Sequence, residues 1–243
     1  MTESSTPYVL ILQHAEWERP GRIQESLEEA GIPTRILTIL DQKKPELPKA
    51  SEYCGLVVMG GPMGALDFDD YPGLKAEHKL VKAAVEASKP VLGVCLGHQI
   101  IAAALGGKLK KGKEPEIGFG HIERVNRHEY APLDSEGMDV LHWHNDVISV
   151  PDGATVIAKT DVTKVQAFAY GSALGLQYHL EVSPAILEQW LSTPAMVEGL
   201  KKSQIKKIRD DFAQKDACIH RVADATFSAF AARCASYARA LAN

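Results

Sequence analysis

The chain has 243 residues, 45% hydrophobic and 24% charged, which suffices for one large domain or two small ones. Its formal net charge of −4 argues against a general nucleic-acid binder or a membrane-surface protein, because both carry a basic excess. No apolar run approaches the roughly 18 residues of a membrane span, and residues 1–7 lack a signal-peptide core. Four cysteines without a C-x-x-C pair predict reduced thiols in a cytoplasmic protein.

The first half of the chain alternates strands with helices. Strands are predicted at residues 8–12, 34–40, 55–59 and 91–94, and helices at 21–30, 74–87 and 97–105. The strands are continuous apolar runs, as expected where both faces of a sheet are covered. This order predicts an α/β fold with a mostly parallel central sheet and helices on both faces.

The second half begins with short strands and ends in helices. Strands are predicted at 118–125, 138–143, 154–159, 165–169 and 174–178, and helices at 185–191, 195–212 and 216–242. The turn-separated strands indicate a small antiparallel extension of the sheet. We expect a single domain over residues 1–243, with residues 192–243 as a helical C-terminal appendage.

The stretch 90–101 has the layout of a nucleophile elbow. A buried strand breaks at Cys95, a helix begins near Gly97, and Gly93 and Gly97 flank the cysteine. Glycines leave room where a strand turns directly into a helix, and the spacing matches G-x-S-x-G with cysteine as nucleophile. A thiol at a helix N-terminus ionises more easily. The alternative is a small core cysteine, since free cysteine is often buried.

His179 and Glu181 follow the last predicted strand. An imidazole can take the thiol proton and return it to a leaving group, and a carboxylate can orient the ring. The chain order Cys95, His179, Glu181 is that of an α/β-hydrolase-like triad. Taken singly, His179 is compatible with a hydrogen-bonded structural histidine. Glu181 is also compatible with an acid at a helix N-terminus, because Ser183 and Pro184 follow it.

Four blocks, together with Gly60-Gly61-Pro62 of the glycine loop at residues 60–64, resemble the class I glutamine amidotransferase family. Residues 93–99 are similar to its G-x-C-x-G-x-Q block and residues 175–181 to its G-x-Q-F-H-P-E block. Residues 116–119 and 142–146 fall where the family has E-x-G and W-x-H-x-D. The resemblance spans residues 8–191 and is nearest to stand-alone proteins similar to the amidotransferase domain of GMP synthase. It implies a flavodoxin-like fold.

The resemblance also implies a role for each site residue. Cys95 would attack the side-chain amide of glutamine, with His179 as acid and base and Glu181 behind it. The backbone N–H groups of Gly61 and Leu96 would form the oxyanion hole. A plain turn is the alternative for the glycine loop. Leu180 departs from the family, which usually has proline there, so the turn between His179 and Glu181 lacks the fixed φ that proline would provide.

Further residues are implied in substrate binding. They are Gly60, Gln99, Trp143, His144 and Asn145. Gln99 lies one helical turn after Cys95, so its amide can face the same pocket; a solvated helix residue is the alternative. For residues 143–145 the alternative is that backbone groups bind the substrate and the side chains serve only in packing. His14, at the end of the first strand, is expected to be a capped loop histidine at this sheet edge, with a residue that lines the pocket as the alternative. The histidines at 98, 142 and 144 do not close a four-ligand set, so no metal is predicted, and no cofactor is implied.

Two enzymatic functions remain open, besides a non-catalytic binding protein on the same fold. The first is a glutamine amidotransferase subunit that gives glutamate and ammonia for an acceptor on a separate synthase, since no G-x-x-x-x-G-K-[ST] loop occurs in the chain. The second is a γ-glutamyl peptidase or hydrolase with the same thioester chemistry. The substrate is thus glutamine or another γ-glutamyl compound, and no nucleic acid or membrane partner is expected.

The C-terminal region carries two further patterns. A basic run, formed by lysines 201, 202, 206 and 207 with Arg209, is typical of a solvated helix face, with a docking surface as the alternative. An apolar stripe recurs at three- and four-residue steps through Ala223, Phe227, Phe230, Cys234, Tyr237 and Leu241. The stripe packs either on its own domain or in a homodimer.

Overall fold

A nine-stranded mixed sheet forms the centre of the described part of the chain, residues 7–241 of a computed structural model. Its strands are β1 (Tyr8–Leu12), β2 (Thr34–Leu37), β3 (Tyr53–Val58), β4 (Val91–Val94), β5 (Lys108–Arg124), β6 (Met138–Ser149), β7 (Thr155–Lys159), β8 (Ala167–Tyr170) and β9 (Ala173–Leu176). Their order is β2-β1-β3-β4-β9-β8-β7-β5-β6. The first five in this order run parallel and the remainder pair antiparallel.

Helices cover both faces of the parallel half, which confirms the predicted fold class. They are α1 (Arg22–Glu29), α2 (Leu74–Glu86), α3 (Leu96–Ala104), α4 (Pro184–Ser192), α5 (Pro194–Val197) and α6 (Lys202–Leu241). One apolar cluster joins the sheet to α1 and α6, and a second joins the opposite face to α2 and α3. A third cluster packs α4 and the start of α6 near the ends of the strands.

The carboxyl ends of neighbouring parallel strands place several loops at one edge of the sheet. Val58 of β3 is in register with Gly93 of β4, and Val94 of β4 pairs with Leu176 of β9. The glycine loop, the Cys95 turn and the His179 turn follow these strands directly. In open α/β sheets this edge is where ligands bind.

Strand β5 begins ten residues earlier than the predicted start at residue 118. Its first half, rich in lysine and glutamate, pairs with β6 from Lys108 onward and is mostly exposed. Because this ribbon projects from the core, it needs no alternating apolar face, and the hydrophobic pattern from which strands are predicted is absent.

The prediction of two C-terminal helices at 195–212 and 216–242 was wrong. The chain forms the short helix α5, breaks at Gly199 with a φ of 76°, and then continues as one 40-residue helix. The interval 213–215 reads Ala-Gln-Lys, three good helix formers that give no reason to stop. Residue 242 lies outside the described residues.

The apolar stripe of α6 packs within its own chain. Ala223, Phe227, Phe230 and Cys234 are buried against the sheet beside α1, whereas Leu241 is 40% exposed. This helix therefore supplies part of one of the two layers that cover the sheet. No helix between residues 7 and 241 is both long and apolar enough to cross a membrane.

Candidate active site

Cys95 occupies a strained turn between β4 and α3. Its φ of 52° and ψ of −104° lie where residues with a side chain rarely occur. A Cβ on Gly97 would lie 1.9 Å from the carbonyl oxygen of Val58, and a Cβ on Gly93 would lie 2.5 Å from the backbone of Gly97. Both glycines are therefore required by close backbone approach. The Cys95 N–H donates to the carbonyl of Leu176 at 2.8 Å, which ties the turn to β9.

His179 and Glu181 form a buried pair beside the thiol. Nδ1 of His179 lies 2.7 Å from Oε1 of Glu181, and each side chain is 1% exposed. Burial lowers the pKa of His179, but the Glu181 carboxylate and the Cys95 thiol outweigh it, so the pKa lies well above its ordinary value. Nε2 has no hydrogen-bond partner among the described residues. The pair can thus hold a proton near Cys95.

The turn between these two side chains is held without proline. Leu180 is 1% exposed in the core, and its carbonyl accepts from Nη1 of Arg22 at 3.3 Å. The carbonyl of Glu181 accepts from the Arg22 N–H at 3.0 Å. Asp216 of α6 pairs with the same guanidinium. A buried arginine and a buried leucine thus provide the restraint that proline would supply in the family pattern.

A cavity of about 340 Å³ opens at the Cys95 turn. Its walls are formed by Glu18, Gly61, Pro62, Met63, Gly64, Cys95, Leu96, Gln99, Trp143, His144, Asn145, Asp146, Ala195 and Met196. The structure thus brings seven of the ten sequence-predicted site residues to one cavity. The other three, Gly60, His179 and Glu181, lie outside its lining. The volume is in the range of small-molecule sites.

The glycine loop lies against the first residue of α3. A Cβ on Gly61 would lie 2.8 Å from Cδ2 of Leu96 and 2.7 Å from Sδ of Met63, so a side chain there would require these neighbours to move. Leu96 is the first residue of its helix, and an N–H at that position has no partner within the helix. Among the described residues, the N–H groups of Gly61 and Leu96 donate no backbone hydrogen bond, and both residues line the cavity.

A comparison with protein-family models matches residues 21–191 to the glutamine amidotransferase class-I family. The chain belongs to this family. The matched segment contains the Cys95 turn, the glycine loop and the His179–Glu181 pair. It ends before α6, so the helix that completes the sheet packing lies beyond the family model.

Curated relatives and solved structures agree with this assignment. The chain is 34% identical over 184 residues to the glutamine amidotransferase-like protein YfeJ of Salmonella typhimurium, covering 73% of this chain and 72% of that protein. It is 32% identical to a glutamine-hydrolyzing GMP synthase subunit of Methanococcus vannielii, covering 67% and 82%. A glutamine amidotransferase structure from Thermotoga maritima superposes with a TM-score of 0.83 at 27% identity, covering 93% and 98%.

The predicted substrate residues of this amidotransferase differ in how far they are already engaged. Nε2 of Gln99 lies 3.1 Å from Oε1 of Gln177, which holds the amide at the cavity wall. Nδ1 of His144 lies 3.3 Å from the carbonyl of Asp146. Trp143 packs edge-on against Trp190 with ring centroids 5.5 Å apart. Gln99 and His144 are thus fixed in place by other protein groups.

His142, His144 and Glu116 form a cluster that the sequence did not bring together. Their ligand atoms lie within 4.8 Å of one another. Burial alone would raise the pKa of Glu116, but hydrogen bonds from His144, Thr163 and Thr160 hold it at about 2. Oε2 of Glu116 also accepts from Gln166 at 2.9 Å. The Glu116 carboxylate thus has its hydrogen-bond partners within the protein. Through its contact with His144, the cluster supports the wall of the cavity.

Sequence reasoning missed Glu18 and Trp190. Glu18 lines the cavity at 5% exposure, and burial raises its pKa to about 7, with Glu181 adding to the rise and His179 opposing it. Trp190 of α4 packs edge-on against His179 with centroids 4.8 Å apart. Glu18 follows β1 within a few residues, so its position at the carboxyl edge was the available signal. For Trp190 the sequence contained no signal other than its position on the apolar face of its helix.

Proposed function

We propose that this family member hydrolyses the side-chain amide of glutamine through a γ-glutamyl thioester on Cys95, releasing glutamate and ammonia. The observation that carries the proposal is the placement of Cys95, which lines the cavity on a strained turn beside a buried His179–Glu181 pair. A nucleophile, a base and a group that orients the base are the three parts that covalent amide hydrolysis requires.

The first half-reaction forms the thioester. His179 takes the thiol proton, and Sγ of Cys95 attacks the amide carbon of glutamine, moving the C=O electron pair onto oxygen. The protonated His179 then donates its proton to the amide nitrogen, the C–N bond breaks, and ammonia leaves. The Glu181 carboxylate stabilises the imidazolium between these transfers, which agrees with the raised pKa of His179.

The second half-reaction releases glutamate. His179 removes a proton from water as the water oxygen attacks the thioester carbon, and the C–S bond breaks. The proton returns to sulfur, so the enzyme ends in its starting state. Both half-reactions pass through a tetrahedral oxyanion. The N–H groups of Gly61 and Leu96 are its proposed donors, and loss of one such donor costs about 3 kcal/mol of transition-state stabilisation.

Substrate binding is assigned to the walls on either side of Cys95. Gly60 and Gly61 would contact the γ-carboxamide end, and Gln99 would hydrogen-bond the amide. Trp143, His144 and Asn145 would border the α-amino and α-carboxylate groups. Support comes from the lining of the cavity, which contains each of these residues except Gly60.

The ammonia is proposed to serve an acceptor on a separate protein. Several relatives are named as one subunit of a glutamine-hydrolyzing GMP synthase. By analogy with these subunits, the chain would act as a glutaminase beside a separate synthase.

Glutamate release from glutamine tests the proposal directly. The wild-type chain should release glutamate, and Cys95→Ala should release none, while Cys218→Ala should match wild type because Cys218 lies on the exposed face of α6. A chloroketone analogue of glutamine should form one covalent adduct per chain at Cys95, detected by mass spectrometry. Glutamate release that survives Cys95→Ala would overturn the mechanism.

A second substrate separates amidotransferase from peptidase activity. Wild-type chain is incubated with γ-glutamylalanine in parallel with glutamine. The proposal expects the greater kcat/KM with glutamine. Efficient release of glutamate from the dipeptide but not from glutamine would assign the same cysteine chemistry to γ-glutamyl peptides and refute the glutaminase function.

A further inference from the structure

A buried ion pair lies behind the glycine loop and outside the cavity. Nε2 of His14 is 2.8 Å from Oε2 of Glu77, and the two side chains are 0% and 1% exposed. His14 follows β1, and Glu77 lies in the first turn of α2, 63 residues away. Burial of two ionisable groups is costly, so the pair is expected to have a specific role.

The second ring nitrogen of His14 contacts the glycine loop. Nδ1 lies 3.0 Å from the carbonyl oxygen of Gly60. Glu77 is an acceptor on the other side, so both contacts are made together when both ring nitrogens carry protons. Burial lowers the pKa of His14, but Glu77 outweighs it, and the pKa is raised overall. The His14 ring thus bridges α2 and the glycine loop.

This contact determines the direction of one peptide group. The structure has no cis peptide bond in residues 7–241, so the carbonyl of Gly60 and the N–H of Gly61 point to opposite sides of a planar unit. With the carbonyl on His14, the N–H of Gly61 is directed away from it. Among the described residues this N–H has no hydrogen-bond acceptor.

The peptide between Gly60 and Gly61 needs such a restraint. Glycine on both sides gives it more rotational freedom than any other pair of residues would. A rotation of this peptide would exchange the N–H for a carbonyl oxygen, which repels an oxyanion. The Cβ of His14 would be only 2.9 Å from a Cβ on Gly61, so the histidine lies directly against the loop.

We propose that His14, held by Glu77, is a positioning residue that keeps the Gly60–Gly61 peptide turned so that the Gly61 N–H faces the oxyanion. This inference rests on the proposed function, because it assigns a support to that reaction. His14 touches no substrate atom. Its role is to keep the Gly61 N–H in the orientation in which it can donate to the oxyanion.

The kinetic consequence is specific. An oxyanion exists in the transition state and not in bound glutamine, so loss of the restraint lowers kcat and leaves KM nearly unchanged. We expect His14→Leu to lower kcat for glutamate release by about 10- to 100-fold, less than the full loss of a donor, since part of the population keeps the productive orientation. Alkylation of Cys95 by iodoacetamide needs no oxyanion hole and should keep its wild-type rate.

Two further variants keep the test independent of folding. His14→Asn retains an N–H donor near the position of Nδ1 and should recover most of the lost kcat. His14→Leu combined with Glu77→Leu removes both buried polar groups and should show the same loss of kcat as His14→Leu. His78→Leu is the matched control, because Nε2 of His78 contacts the Ala65 carbonyl at 2.9 Å, outside the cavity. Its kcat should equal wild type.

The outcomes separate this inference from the proposed function. Wild-type protein without glutamate release would refute the proposed function itself. With active wild type, full kcat in His14→Leu would overturn the positioning role. Loss of Cys95 alkylation together with kcat, or an equal loss in His14→Asn and His14→Leu, would also overturn it, because a general structural role would then explain the effect.

Discussion

Nδ1 of His179 lies 2.7 Å from Oε1 of Glu181, and Nε2 of the same ring has no partner among the described residues. The carboxylate thus holds one nitrogen and leaves the other for proton transfer. Both side chains are almost fully buried, so bulk water screens this contact little. Glu181 and the Cys95 thiol together outweigh the effect of burial and raise the pKa of His179.

Glu181→Gln is expected to lower kcat for glutamate release by about 10²- to 10⁴-fold. Glutamine keeps the shape but removes the charge that raises the pKa of His179, so the imidazolium is lost at a lower pH. The alkaline limb of the kcat profile should move down in pH. Glu188→Gln, on an exposed glutamate of α4, should leave the profile unchanged. An unchanged limb in Glu181→Gln would contradict the assignment.

Glu18→Gln is expected to stabilise the protein at alkaline pH. The carboxyl has a pKa of about 7 in the folded chain against 4.5 for the ordinary group. The folded state therefore binds this proton more tightly, and its stability falls as the pH rises from 4.5 through 7. Glutamine does not ionise and avoids that penalty. The unfolding free energy of Glu18→Gln relative to wild type should therefore increase by about 2 kcal/mol between pH 5 and pH 8.

Urea unfolding of Glu18→Gln and wild type at the two pH values measures this difference. Glu86→Gln replaces an exposed residue of α2 and serves as the control. Its difference in unfolding free energy from wild type should not increase with pH. A difference between Glu18→Gln and wild type that is the same at pH 5 and pH 8 would show that the carboxyl ionises normally in the fold.

Asp216→Asn is expected to weaken the support of the catalytic turn from α6. The change leaves the guanidinium of Arg22, 3% exposed, without its carboxylate, while Asp216 itself is 28% exposed and partly screened. A loss of about 1–2 kcal/mol in unfolding free energy should result. A reduced kcat should accompany it, since Arg22 holds the Leu180 carbonyl. Asp210→Asn, at an exposed pair with Lys206, should change stability by less than about 0.5 kcal/mol.

Phe230→Ala is expected to destabilise the chain by about 3–5 kcal/mol, because the ring is buried between α6 and the sheet. The loss should be independent of protein concentration, since the stripe is covered by its own chain. Melting temperatures measured over a hundredfold range of concentration test this. A midpoint that rises strongly with concentration would instead place the stripe in an interface between copies.

Much of the fold and the core of the site could be predicted from local pattern. Apolar runs located the parallel strands, and glycines on both sides of Cys95 marked a turn whose close backbone contacts admit no side chain. The basic run at residues 201–209 was expected to be solvated, and all five of its basic residues are exposed, with Lys206, Lys207 and Arg209 paired to nearby acids. These features depend on neighbours in sequence, which is why a linear pattern records them.

Other features depend on contacts between distant segments. The continuity of α6 was missed because the polar stretch at 213–215 lacks an apolar signal, although it is helical. The N-terminal half of β5, which begins at Lys108, is mostly exposed, so it lacks the alternating apolar pattern from which a strand is predicted. Arg22 replaces the missing proline by reaching across 158 residues to Leu180, and no local rule connects those positions.

By itself, the sequence determined the α/β order, the elbow at Cys95 and the presence of a histidine and an acid after the last parallel strand. Such patterns arise from backbone sterics and from the period of each element, and both act over a few residues. Only the tertiary structure decided that Glu18 enters the cavity, that α6 covers the sheet, and that His14 and Glu77 meet behind the glycine loop. Burial, charge pairing and the resulting pKa shifts exist only once remote segments have excluded water from between them.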